Sequence, residues 1–299
     1  MTILHVSDVH FGKPHLPAVR DAVVRFAHDE CPDAVVVSGD LTQRARRSEF
    51  RAARAFLDRL APHPVIVTAG NHDVPLYRIW ERLFAPYRNY RAAISPELDS
   101  VLDVRTERGE RRVRLVALNS SSPRTAVVNG RLFDRQLDFA RRSFQSAGPD
   151  TVRVLVVHHN LVSPPGYKTA APLPGADRIM AFMQGLGVDL ILSGHIHQTC
   201  FARGGSAFPE PGSKECGMPI VLAGTASSSR GRGKEAGRNS INLVRVQHSG
   251  IEATAYLYSQ DAGCFLPGEG RRYPGVRVTR PSRGLVEKGS PRGEEGAHP

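Results

Sequence analysis

The amino-acid sequence predicts an α/β fold of two mixed β-sheets flanked by helices, on three observations. Short runs rich in Val, Ile and Leu recur along the chain, as buried strands should. Apolar stripes at helical spacing separate the early runs. Late in the chain, strand-like runs follow one another with no helical stripe between them.

Taken in order, Ile3 to Val6 reads as the first strand. Pro17 can open a helix, and Val19, Ala22, Val23, Phe26 and Ala27 give it one apolar face ending before Pro32. Ala34 to Ser38 is a second strand, Phe50, Ala53, Leu57 and Leu60 stripe a second helix, and Val65 to Ala69 is a third strand. That alternation, with short connections, predicts a βαβαβ unit whose strand ends share one edge. Leu76 to Tyr90 predicts a helix up to or around Pro86. Val113 to Leu118 reads as a strand, Phe133, Leu137, Ala140 and Phe144 as a helix, and Val152 to Val157 as a strand. Ile179, Met180 and Met183 mark another helix before the strand Asp189 to Ser193. Pro219 to Ala223, Ile241 to Val246 and Ile251 to Leu257 predict an antiparallel second sheet. From Gly268 onward Pro, Gly, Arg and Glu dominate. The expected division is therefore a folded domain over 1–267 and a poorly ordered tail over 268–299.

At 299 residues the chain can bury a full core. Its formal charge of +11 favours an anionic partner, either phosphate esters, nucleic acid or lipid headgroups. No run approaches the roughly 20 apolar residues of a membrane span, and Asp8 and His10 interrupt the first apolar run where a cleaved leader would need continuity. The expectation is a cytoplasmic protein. Cys31, Cys200, Cys216 and Cys264 have no paired spacing and predict free thiols, although Cys200 and Cys216 bracket the Gly/Pro-rich insertion 199–217.

Five of the strands run directly into groups of potential metal ligands. These are Asp8-Val9-His10, Gly39-Asp40, Gly70-Asn71-His72-Asp73, His158-His159 and Gly194-His195-Ile196-His197. Carboxylate, imidazole and amide donors without thiolate suit Mn, Fe, Zn, Co or Mg. These donors exceed the needs of one ion, and two ions sharing one carboxylate would clamp both oxygens of a phosphoryl displacement.

The ordered set D-x-H, GD, GNH(D/E), H and GHxH resembles the calcineurin-like metallophosphoesterase superfamily, over roughly residues 1 to 250. The resemblance implies a four-layer αββα sandwich and two divalent cations, with Mn, Fe or Zn favoured. It implies that Asp8, His10, Asp40 and His197 hold one ion and Asp40, Asn71, His158 and His195 the other, Asp40 bridging. It makes His72 the catalytic residue beside the phosphoryl group, a role suited to imidazole. His158, first after its strand, is preferred over His159 because strand neighbours point to opposite sides. Asp73 is read as capping its turn rather than orienting His72. Of the remaining histidines only His15 lies in a loop near the first motif.

The chain reads Gly39-Asp40-Leu41-Thr42-Gln43-Arg44 and lacks the second Asp that protein phosphatases carry there. What remains resembles the bacterial branch of cyclic-nucleotide and glycerophosphodiester phosphodiesterases, and implies a small anionic phosphoester substrate. The stretches Asn119 to Gly130 and Leu161 to Gly175 are expected to wall the site. In Thr225 to Asn239, Arg230, Arg232, Lys234 and Arg238 could meet a second phosphate, though a mobile surface loop is the preferred reading. A nuclease is the alternative, disfavoured by the 7% aromatic content and the lack of basic-aromatic interleaving. A non-catalytic scaffold would have lost ligands that this chain keeps.

Overall fold

The structure is a computed structural model that describes residues 1–106, 112–124, 129–163, 171–204 and 217–274. The first sheet contains β1 (Thr2–Val6), β2 (Ala34–Val37), β3 (Val65–Val67), β10 (Ser240–Gln247), β11 (Gly250–Ser259) and β12 (Cys264–Pro274). Its order is β12-β11-β10-β1-β2-β3, parallel from β1 to β3 and antiparallel from β1 to β12. The second contains β4 (Ser100–Arg105), β5 (Arg112–Leu118), β6 (Thr151–Val157), β7 (Leu190–Ser193), β8 (Cys200–Arg203) and β9 (Pro219–Leu222). Its order is β4-β5-β6-β7-β9-β8, with parallel β5, β6, β7 and β9 and antiparallel strands at both edges.

Side-chain alternation along β1 and β2 explains the layering. Ile3, Ala34 and Val36 point into a core shared with Val113, Leu115, Val154 and Leu190 of the second sheet. Their neighbours Leu4, Val6, Val35 and Val37 point the other way, onto α1 (Pro17–Glu30) and α2 (Arg47–Asp58). On the far side of the second sheet, Val116, Leu118, Leu155 and Ile191 pack beneath α5 (Asp134–Gln145) and α6 (Ala176–Gly185). Helix, sheet, sheet, helix is thus the order of layers, and each fully buried Val, Leu or Ile contributes about 1.5–3 kcal/mol.

Four expectations are corrected. The late strands do not make a separate antiparallel sheet: β9 joins β7 in the second sheet, whereas β10 and β11 extend the first through β1. The expected helix from Leu76 to Tyr90 is two helices, α3 (Ile79–Phe84) and α4 (Arg88–Ala93). Ala85, preceding Pro86, leaves the helical region at φ −147° and ψ 51°, where a proline's ring pushes its neighbour. The folded domain passes residue 267, because β12 runs to Pro274 against β11 and buries Tyr273 fully. The Ser/Gly/Arg stretch is not a surface loop throughout, since Thr225, Ser227, Ser228 and Asn239 are buried. Cys216, most of the 199–217 insertion, residues 125–128 and 164–170 of the expected walls and the tail from 275 lie outside the described residues.

Candidate metal centre

The carboxyl ends of β1, β2 and β3 face those of β6 and β7, and all five ligand-bearing loops meet there. The turns are tight. Asp8, His10, Asp40, His195 and His197 all take positive φ, between 51° and 73°, a conformation that costs a non-glycine residue about 1–2 kcal/mol. Two glycines make the approach possible. A Cβ on Gly70 would lie 2.1 Å from Asp40 Oδ1, and one on Gly194 would lie 1.9 Å from Ser7 Oγ and 2.7 Å from Asp8 Oδ2.

Each carboxylate has one oxygen secured and one left over. Ser7 Oγ donates to Asp8 Oδ2 at 2.6 Å and the His195 N–H donates to the same atom at 3.1 Å. The His72 N–H donates to Asp40 Oδ1 at 2.8 Å. Asp8 Oδ1 and Asp40 Oδ2 are buried without a hydrogen-bond donor. Burial opposes ionisation of both, yet His197 and His10 around Asp8, and His158, His72 and His10 around Asp40, hold the two carboxyls well below the usual range.

The imidazoles are oriented from behind. His158 Nδ1–H donates to the Ser38 carbonyl at 2.8 Å and His197 Nδ1–H to the Arg230 carbonyl at 3.0 Å, so both present Nε2 inward. His197 Nε2 lies 3.0 Å from Asp8 Oδ1 and 3.2 Å from His10 Nε2. Ligand atoms of Asp8, His10, Asp40 and His197 all fall within 4.8 Å of one another. Alongside, His158 Nε2 lies 3.1 Å from Asn71 Oδ1 and 3.4 Å from Asp40 Oδ1, and His195 Nδ1 lies 3.0 Å from Asn71 Oδ1. Buried acceptors converging on inward lone pairs are what a cation would satisfy, and nitrogen and oxygen donors without sulfur suit Mn, Fe or Zn. Burial lowers the His158 pKa, but Asp40 outweighs it and pushes it up to about 9. Burial instead drives His10 down to about 4 and His195 to about 3.

His159 Nδ1 lies 2.8 Å from Ser120 Oγ, while its ring packs against those of His195 and His158 with centroids 4.6 Å and 5.1 Å away, and burial holds it well below the usual histidine value. His15 pairs with the Val9 carbonyl at 3.2 Å. Asp73 accepts from Leu41 N–H, Thr42 N–H, Thr42 Oγ1 and Gly70 N–H at 2.8–3.1 Å. It caps its own 3₁₀ turn and ties that turn to the Asp40 loop. Burial, with the Asp40 charge nearby, pushes it up to about 7.

The residue that orients His72 is Gln43, which the sequence offered only as a missing acid. His72 Nδ1–H donates to the Gln43 carbonyl at 2.9 Å, and Arg230 Nη1 donates to Gln43 Oε1 at 2.9 Å. Arg230 therefore steadies both His197, through its carbonyl, and the His72 support, through its side chain. Arg232 is exposed and Lys234 pairs with Glu269 at 2.8 Å, so these two do not share that role.

The chain is similar to several known proteins. The chain is 26% identical over 267 residues to a probable cyclic nucleotide phosphodiesterase of Rhodococcus erythropolis, covering 82% of this chain and 79% of that one. It is 29% identical over 170 residues to a glycerophosphodiester phosphodiesterase of Enterobacter lignolyticus, covering 53% of this chain and 56% of that one. The fold superposes on a purple acid phosphatase from yellow lupin with a TM-score of 0.63 at 12% identity, over 96% of this chain and 57% of the lupin protein. Residues 1–199 match the calcineurin-like phosphoesterase family. The chain belongs to that family.

Proposed function

We propose that this protein hydrolyses small phosphodiesters with two divalent cations, one held by Asp8, His10, Asp40 and His197 and the other by Asp40, Asn71, His158 and His195. The observation that carries the reading is the shared carboxylate: Asp40 Oδ2 lies 3.7 Å from His10 Nε2 in one group, and Oδ1 lies 3.4 Å from His158 Nε2 in the other. When bound, the cations would supply Lewis acidity, lowering the pKa of an attacking water and neutralising the phosphoryl oxygens. Manganese, iron and zinc are the ions to test first.

His72 is the proposed catalytic residue. With Nδ1–H fixed on the Gln43 carbonyl, its Nε2 is the atom that can hold or deliver a proton at the leaving oxygen. Its ring stands edge-on to His10 with centroids 4.9 Å apart, next to the first group of ligands. Arg230 adds a cation whose nearest opposing charges include Asp40 and Asp8. A diester carries a single negative charge, and one imidazole and one guanidinium beside the cations are enough to receive it. Both bacterial relatives named above are described as acting on diesters, cyclic in one case and glycerol-linked in the other. No helix among the described residues is long and apolar enough to cross a membrane. Among the described residues Cys31, Cys200 and Cys264 form no disulfide, which supports a reducing, cytoplasmic setting.

The test is kcat/KM on bis(p-nitrophenyl) phosphate and p-nitrophenyl phosphate with manganese added, alongside cyclic AMP and single-stranded DNA. The diester should lead the monoester by tenfold or more. A tenfold lead for the monoester overturns the reading, and DNA cleavage without small-diester turnover replaces it with a nuclease.

A further inference from the structure

At the carboxyl end of β5, one strand away from the histidines on β6, lies a cavity of about 670 Å³. That volume falls in the range of small-molecule sites, about 300–1,000 Å³. It adjoins the metal centre. Ser121, in its wall, donates from Oγ to the Ala69 carbonyl at 3.2 Å, and Ala69 is two residues before Asn71. At about 3.8 Å per residue, this wall stands within about 10 Å of Asn71. The preceding residue, Ser120, holds His159.

The chemistry of the lining is divided. Leu83, Pro86, Leu98 and the ring of Tyr87 form an apolar side, and Arg124, Arg131 and Arg135 form a cationic one. Among the described residues no ion pair engages any of these three arginines. Phe133 gathers two of them, with the Arg131 and Arg135 guanidinium carbons 5.1 Å and 5.4 Å from its ring centroid. The acidic residue in the lining, Asp99, is already committed: its Oδ1 accepts from the Asn119 N–H and from Gln136 Nε2, each at 2.8 Å. Phe133, Arg135 and Gln136 also form the start of α5, whose positive dipole end adds to the same field. Three arginines against the one carboxylate of Asp99 leave the lining with an excess of positive charge, and an anion relieves their mutual repulsion.

We infer that this cavity receives the non-reacting end of the substrate, a second phosphate carried on a nucleotide-sized organic group. The inference rests on the diester reading above and narrows it: among phosphodiesters, those that bear a further phosphate are preferred. The scissile group lies at the cations, the organic body lies against Tyr87 and its apolar neighbours, and the second phosphate meets Arg131 and Arg135.

The experiment compares the dinucleotide TpT with its 5′-phosphorylated form pTpT on manganese-loaded protein. The ratio of the two kcat/KM values is read on one protein at a time, so a general loss of activity cancels. Wild type should favour pTpT by tenfold or more, chiefly through KM. Arg131→Gln/Arg135→Gln should bring the ratio to within twofold of one, and Arg131→Lys/Arg135→Lys should keep at least a third of the preference. Equal values in wild type, or a preference that survives the Gln pair, overturn the inference. If neither dinucleotide is cleaved, the diester reading is what has failed for this class. The cavity is then judged by calorimetric titration of chelator-treated full-length protein with thymidine 5′-phosphate. Binding lost in the Gln pair upholds the anion site, and no binding by wild type, or equal binding by both, removes it.

Discussion

At its carboxyl edge the first sheet delivers Asp8, His10, Asp40, Asn71 and His72, while the second delivers His158, His195 and His197. Both carboxylates thus come from one sheet, and the other offers imidazole alone. The second sheet's donors are also held by the first: His158 leans on the Ser38 carbonyl after β2, and Asp8 accepts the His195 N–H. The difference separates two roles. The first sheet carries the charge that would balance a cation, and the second would complete the proposed coordination with imidazoles whose placement depends on the first.

The comparison breaks if ligands from the two sheets prove interchangeable. Asp40→Asn removes a charge from both groups of ligands and should lower turnover of bis(p-nitrophenyl) phosphate by about 10³-fold or more, the equivalent of several kcal/mol of lost charge stabilisation. Metal content by mass spectrometry should fall with it, and added manganese should not restore activity. Near-normal turnover would show that the first sheet's charge is dispensable.

His72→Ala sharpens the contrast inside the first sheet. Here kcat should drop about 10²- to 10⁴-fold, the range for a lost general acid, with metal content largely retained. Stoichiometric loss of metal would make His72 a ligand instead.

For the second sheet, His195→Ala removes a neutral donor. Apparent affinity for manganese should weaken by at least the about 10-fold typical of a disturbed outer-shell partner, and saturating manganese should recover much of the activity. Failure of excess metal to rescue would put this imidazole on the same footing as Asp40.

The smallest effect lies at the other end of the second sheet, just before β7. Asp189 Oδ2 accepts the Arg153 N–H at 2.9 Å, and burial pushes its carboxyl up to about 7. The folded protein then keeps a proton that the unfolded chain gives up near pH 4, so this contribution to stability is full below about pH 4 and is lost as pH rises to 7. Asp189→Asn keeps an acceptor oxygen without a charge. Its urea midpoint should gain on wild type across that window, by on the order of 2 kcal/mol after allowing for partial solvent screening. Parallel stability curves for the two proteins would exclude the ionisation of Asp189 as a cost.

The strands that carry ligands are legible because they are buried on both faces and read as near-continuous apolar runs, as in Ala34 to Val37 and Val154 to Val157. The strands that escaped detection have local reasons to look like coil. β4 carries Asp103 and Arg105 on an edge, β8 is four residues long, and β12 contains Pro267, Gly268 and Gly270, so that only pairing with β11 makes it a strand. The sheet that each late strand joins is hidden for a related reason. Pairing of β10 with β1 is a long-range event that no local pattern announces. In the site, ligand residue types stand out in the motifs, whereas the groups that aim His72, His158 and His197 are main-chain carbonyls of Gln43, Ser38 and Arg230. A carbonyl belongs to every residue, and leaves no trace in residue type.

The central place of β1 in the first sheet bears on how the molecule comes to exist. Thr2 faces Arg245 across the sheet, and Val244 lies opposite Ile3. On a ribosome, the segment with Asp8 and His10 emerges before β10 and waits for nearly the whole domain before that neighbour is made. Closing so long a loop is mild in free energy, each doubling adding only about 0.6 kcal/mol, but contacts this distant in sequence slow folding. Until β10 arrives, β1 has one open edge and Asp8 lacks the Thr225 hydroxyl that steadies its carbonyl at 2.7 Å. The earliest-made ligands are therefore among the last to be fixed, and a nascent chain would meet metal ions with its binding site still unfinished.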